Sequence, residues 1–78
     1  MMKVEDNELI IESEIGDENV DEFLQTISDE NIKKVVVKTP NLGASIIQLL
    51  LVYKRKLDIV IEDDILKKVF ENVIYKSV

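Results

Sequence analysis

Apolar residues recur along this chain at two different spacings, and the spacing changes at Thr39–Gly43. Before that point, in Lys33–Thr39, Val35 and Val37 alternate with Lys34, Val36 and Lys38, the period of a strand with one face inward. After it, Leu42, Ile46, Leu49, Leu50, Tyr53 and Leu57 fall on one face at about 100° per residue. The segment between holds the chain's only proline and one of its two glycines. The pattern predicts a central strand, a tight turn and a long helix ending near Lys56. Two starts fit that helix. Thr39-Pro40 places proline at the favoured first position, whereas Gly43 marks a bend with the helix beginning within a residue of it.

The rest of the chain reads in the same way. Met2–Glu5 and Glu8–Ile15 alternate around Asp6-Asn7, which is turn chemistry, and predict an N-terminal hairpin. Leu9, Ile11, Ser13 and Ile15 share one face of its second strand, and Glu8, Ile10, Glu12 and Glu14 the other. Asn19, with Glu22 three residues on, is a candidate helix cap. It leads a helix from Val20 to about Ser28, with Val20, Phe23, Leu24 and Ile27 inward. Asp58–Glu62 predicts a short strand with Ile59 and Ile61 inward. Asp63 or Asp64 caps a last helix whose inner face is Leu66, Val69, Phe70, Val73 and Ile74, with fraying expected from Tyr75 onward.

The expected fold is therefore α/β, a single domain over residues 1–78 in ββαβαβα order. Right-handed crossovers make three of the four strands parallel, with the first an antiparallel edge. A parallel sheet covered on both faces has near-continuous apolar strands. These strands alternate with Glu, Lys and Asp, so all three helices are expected on one side. With strand three between strands two and four, Lys34 and Lys38 lie among Glu12, Glu14, Asp58 and Glu62, and opposite charges across strands favour that order.

Composition then narrows the chemistry. The 78 residues include neither cysteine nor histidine, which removes thiolate nucleophiles, the commonest general base and the commonest metal ligand. No enzyme activity, cofactor or metal site is expected. A net charge of −6 disfavours nucleic acid and anionic membranes. The one basic cluster, Lys54-Arg55-Lys56, reads as a helix C-terminus complementing the macrodipole. The apolar run Ile46–Tyr53 is far too short to span a bilayer, no signal segment is expected, and the missing cysteines suit a reducing cytoplasm.

Several clusters invite a functional reading beside a structural one. Outside its predicted inner face, the second helix carries a further stripe, Ala44, Ile47 and Leu51, with Gln48 and Arg55 beside it and Val52 also off the core face. Either neighbouring helices cover Ile47 or Val52, or the stripe is an interface for a protein partner. The turn before it, Asn41 to Ser45, offers free helical N–H groups to an anion or small ligand, or is simply a cap. Glu62-Asp63-Asp64 reads as capping rather than a metal site, and Glu12 with Glu14 lack a pocket for acid–base work. Ile10, Val36 and Val60 line up on the open sheet face, as ordinary solvated strand residues or as a self-association surface.

The stretch VVVKTPNLGASIIQLLLVYKRK, followed by KLDIVIEDDILKKVFENV and preceded by ELIIESEIGDENVDEFLQTI, resembles the STAS domains. These are the bacterial anti-sigma-factor antagonists and related transporter-associated domains. The resemblance covers nearly the whole chain in element order. It implies a regulatory protein-binding module, or a small subunit of a larger complex, that meets its partner through the second helix and its leading turn. On this chain those residues are Asn41, Leu42, Gly43, Ala44, Ser45, Ile47, Gln48 and Leu51. Aligning Asn41 with the family's Asp places Leu42 at the phosphoacceptor position, Ser45 falls about one turn late, and the loop is several residues shorter. Self-association into a homo-oligomer is the other expected use of the outer stripe.

Overall fold

A computed structural model describes residues 2–76, with side chains described as far as Glu71. The strands are β1 (Met2–Glu5), β2 (Glu8–Ile11), β3 (Lys34–Val37) and β4 (Asp58–Ile61); the helices are α1 (Val20–Ile27), α2 (Ala44–Tyr53) and α3 (Asp64–Lys76). One 3₁₀ turn, Asp17–Asn19, leads into α1. The fold is α/β with a four-stranded mixed sheet ordered β1-β2-β3-β4, in which β1 pairs antiparallel with β2 and the other pairs are parallel.

The hairpin closes at Asp6-Asn7, where Asp6 adopts φ 55°, a left-handed conformation that Asp tolerates better than most residues. Leu9 and Ile11 of β2, Val35 and Val37 of β3 and Ile61 of β4 form one face of the sheet. That face joins Phe23 and Ile27 of α1, Ile46 and Leu50 of α2, and Leu66 and Phe70 of α3 in a single core. Burying each such side chain contributes about 1.5–3 kcal/mol, so these positions fix how every helix is turned. The helix-free face alternates by row. Lys3, Ile10, Val36 and Val60 align across the strands, as do Glu5, Glu8, Lys34 and Asp58.

Several expectations need correction. β2 ends at Ile11 rather than Ile15, because the chain leaves the ladder and returns only for an isolated parallel bridge, Ile15 to Leu42. Ser13, expected inward, is exposed. β3 stops at Val37, short of Thr39. Val36 lies on the helix-free face as expected but is only 9% exposed, flanked by Ile10 and Val60 on its neighbours. Asn19 does not cap α1 with its side chain; its Oδ1 accepts instead from Gly16 N–H at 3.1 Å, closing the 3₁₀ turn. Leu24 and Val69, expected inward, are 40% and 47% exposed. Lys34 sits opposite Glu8 and Asp58, while the described ion pairs belong to Lys3, which meets Glu5 at 3.1 Å and Glu12 at 3.2 Å. These carboxylates hold the Lys3 ammonium above the ordinary lysine pKa, the Glu5 hydrogen bond contributing most. α3 runs from Asp64 to Lys76. Val73 and Ile74 lie outside the described side chains.

Candidate functional site

The β3–α2 junction is where the sequence placed its candidate residues. α2 starts at Ala44 after Gly43, so Pro40 stands outside the helix. Thr39, buried at 6% exposure, accepts the Asn41 N–H on Oγ1 at 3.1 Å, and this local turn takes the place of a proline-led helix start. The loop is then stitched to the segment after β2. Ile15 N–H donates to the Asn41 carbonyl at 3.3 Å, and Gly43 N–H donates to the Ile15 carbonyl at 2.9 Å.

The chain's two glycines meet here. A Cβ on Gly43 would lie 2.8 Å from the Asp17 backbone nitrogen and 3.0 Å from the Gly16 carbonyl carbon. Gly43 has φ −64° and ψ 155°, which any residue can adopt. Space, not backbone angle, requires glycine at this position. The close approach brings Asp17 to the start of α2, where its Oδ1 accepts the Ser45 N–H at 3.2 Å. A carboxylate from 28 residues upstream thus caps the helix and sits at the positive end of its dipole.

This arrangement bears on the anion reading of Asn41–Ser45. A carboxylate already occupies the place an anion would take, and the Ile46 and Ile47 N–H groups are bonded to the Gly43 carbonyl at 3.1 Å each. A shallow open hollow of about 300 Å³ borders the loop, with Glu14 among the residues that line it. Because the strands run in sequential order, both crossovers step the same way. No reversal of strand order opens the crevice in which open α/β sheets hold ligands.

The second stripe of α2 divides on inspection. Ile47 and Leu51 are half-buried and pack against the core, as do Leu42, Leu49, Tyr53 and Leu57. The neighbouring-element reading therefore accounts for Ile47 and Leu51 in part. Asn41, Ala44 and Gln48 are exposed, Ser45 and Gly43 are half-buried, and Val52 is 70% exposed. The outward row of α2 is thus Ala44, Gln48 and Val52, continuing to Arg55 in the following turn. No residue of α2 is charged, in a chain of which 33% is. By contrast, α1 exposes Asp21 and Glu22, and α3 exposes Asp64, Lys67, Lys68 and Glu71.

At the other junction, Asp63 Oδ2 accepts the Leu66 N–H at 2.8 Å, so Asp63 is the cap and the acidic run is explained structurally. The residues that sequence reasoning missed are Asp17 and Gly16. The only trace of them in the sequence is that both stand at a turn; nothing marks which helix Asp17 serves. Val52 was visible as an off-core position without being placed in the site. No helix among the described residues is long and apolar enough to cross a membrane. Comparison with family models, curated proteins and solved structures gives no match to this chain.

Proposed function

We propose that this chain is a non-enzymatic protein-interaction module that docks a partner on the outer row of α2, at Ala44, Gln48 and Val52, and on Asn41 in the loop before it. One observation carries the reading: α2 presents an entirely uncharged surface to solvent, with a large apolar residue, Val52, 70% exposed in its last turn. Uncharged outward positions on a helix of an otherwise highly charged chain favour desolvation against another protein. Half-buried Ile47 and Leu51 add an apolar margin to that row while remaining part of the core. The ββαβαβα order supports a STAS-like assignment and, with it, a regulatory role like that of an anti-sigma-factor antagonist or a small subunit of a larger assembly. Leu42 at the phosphoacceptor position argues for docking that phosphorylation does not switch there. The absence of histidine and cysteine from the sequence supports a role without catalysis.

The alternative, a small-ligand or anion site at Asn41–Ser45, requires an incoming anion to displace the Asp17 carboxylate, and the docking reading is preferred for that reason. The test uses Gln48→Lys/Val52→Lys, since both positions are exposed and surface substitutions change stability by only about 0.5 kcal/mol. Tagged wild-type protein is expected to capture a partner from native lysate that the double variant, folded by circular dichroism, fails to capture. An Ile65→Lys variant on α3 is expected to capture it normally. Equal capture by the α2 variant rejects the surface. Amide shifts at Ala44 and Ser45 on phosphate titration favour the anion site instead.

A further inference from the structure

β4 is an outer strand, and among the described residues no strand pairs with its far side. Its ladder to β3 shows which backbone groups are spare. Asp58 N–H donates to the Lys33 carbonyl at 3.2 Å and Glu62 N–H to the Val37 carbonyl at 2.9 Å. Alternate residues of a parallel strand bond to the same neighbour, so the N–H and C=O groups of Ile59 and Ile61 point to the free edge. An open groove of about 280 Å³ runs beside that edge. Ile59, Val60, Ile61 and Phe70 line it together with Lys54, Lys67 and Glu71, and the Lys54 ammonium lies over the Phe70 ring, 5.9 Å from its centroid.

The inner neighbour of β4 shows what this strand accepts. On the helix-free face, Lys34 lies opposite Asp58 and Val36 opposite Val60, and the same register carries Lys38 to Glu62. On the core face, Val35 and Val37 lie opposite Ile59 and Ile61. A basic–apolar–apolar–apolar–basic strand thus complements the acidic–apolar–apolar–apolar–acidic sequence of Asp58–Glu62. The outer side of β4 presents the same side chains in the same order. A second copy of β4 is a poor occupant. Antiparallel pairing centred on Val60 sets Asp58 opposite Glu62 twice, and like charges directly opposite destabilise a sheet. On the groove side, Lys54 and Lys67 outnumber Glu71 and disfavour further basic residues.

We infer that the free edge of β4 takes an extended segment of a partner protein as a fifth strand. That segment is basic at the two positions meeting Asp58 and Glu62 and apolar at the positions over Phe70. Backbone hydrogen bonds to Ile59 and Ile61 provide the pairing, and the two acids set the register. This surface is separate from the outer row of α2, and the inference does not depend on that reading.

The test titrates a synthetic peptide, Lys-Val-Thr-Val-Lys between Gly-Ser ends, into the isotope-labelled full chain. Saturable amide shifts and slowed hydrogen exchange are expected at Ile59 and Ile61. The same peptide with Glu at both Lys positions is expected to bind roughly tenfold more weakly, the scale of two cross-strand charge pairs. N-methylation of the Thr and both Val residues removes ladder donors in either strand direction and is expected to abolish binding while leaving charge unchanged, so the test does not depend on a variant of the protein that folds. Equal binding of the Lys and Glu peptides overturns the inference, as do shifts confined to other residues or no shifts at millimolar peptide. Protection of Ile59 and Ile61 that rises with protein concentration alone overturns it in favour of a second copy.

Discussion

The β3–α2 and β4–α3 junctions both supply a carboxylate to the first turn of a helix, but they draw it from different distances along the chain. Asp63 caps α3 from the residue just before it, bonding to Leu66 N–H three residues on. Asp17 caps α2 from 28 residues away, and reaches it because Gly43 lets the two backbones approach. The first junction is a property of four consecutive residues. The second exists once β2, the 3₁₀ turn and the β3–α2 loop have come together. A local cap survives loss of tertiary packing, whereas a long-range cap fails with it. Formation of α2's first turn is thereby coupled to docking of the segment that precedes α1.

The long-range junction is most sensitive at Gly43. Gly43→Ala sets a methyl group against the Asp17 nitrogen and the Gly16 carbonyl carbon, atoms that cannot swing aside. The expected loss is about 2–3 kcal/mol, a large share of the roughly 3–5 kcal/mol available to a domain of this size. Gly16→Ala is expected to cost well under half as much, because the nearest atoms are the flexible Glu18 carboxylate. Denaturant unfolding of the two variants measures both, and equal midpoints contradict the fitted-backbone account.

Removing each cap sharpens the contrast. Asp17→Ala and Asp63→Ala are each expected to cost about 1 kcal/mol. Their signatures differ under hydrogen exchange. Asp63→Ala speeds exchange in the first turn of α3 alone. Asp17→Ala speeds it at Ser45 and also at Ile15 and Gly43, which share the stitched junction. Faster exchange confined to Ser45 counts against the coupling.

Those outcomes bear on what was legible beforehand. Asp63 could be found because a cap within four residues of a predicted helix start is a local pattern, and the hairpin turn at Asp6-Asn7 was legible for the same reason. Asn19 and Glu22 displayed an equally plausible local pattern, yet the 3₁₀ turn claimed the Asn19 side chain for Gly16 N–H. Leu24 and Val69 follow the helical period of their helices but lie at the edge of the inner face, where only the seating on the sheet decides exposure.

The smallest expected effect lies on the helix-free face, away from both junctions. Glu5 and Glu12 raise the Lys3 pKa in the folded chain, so this contribution is complete below the ordinary lysine value. It is lost as pH rises through the raised value. Lys3→Met is expected to lower the melting temperature by no more than about 2 °C at neutral pH, since exposed pairs are weak. The difference from wild type should vanish above the folded-state pKa. A difference that persists there assigns the effect to packing of the Lys3 stem instead.

Sequence alone determined the elements and their faces wherever hydrophobic period and polar alternation agreed: Leu9 and Ile11, Val35 and Val37, Phe23 and Ile27, Leu66 and Phe70. Burial of those side chains outweighs other local preferences, so the pattern and the structure coincide. The sequence also oriented α2 by its inner face of Ile46, Leu49, Leu50 and Tyr53. It left open how far the flanking Ile47 and Leu51 would be covered, because a helix apolar on most sides sets no polar boundary at that margin. Tertiary structure decided that margin, leaving Ile47 and Leu51 half-buried against the core while Val52 stands in solvent. It also brought Asp17 to Ser45, since contact between residues 28 positions apart depends on the path of the whole chain between them.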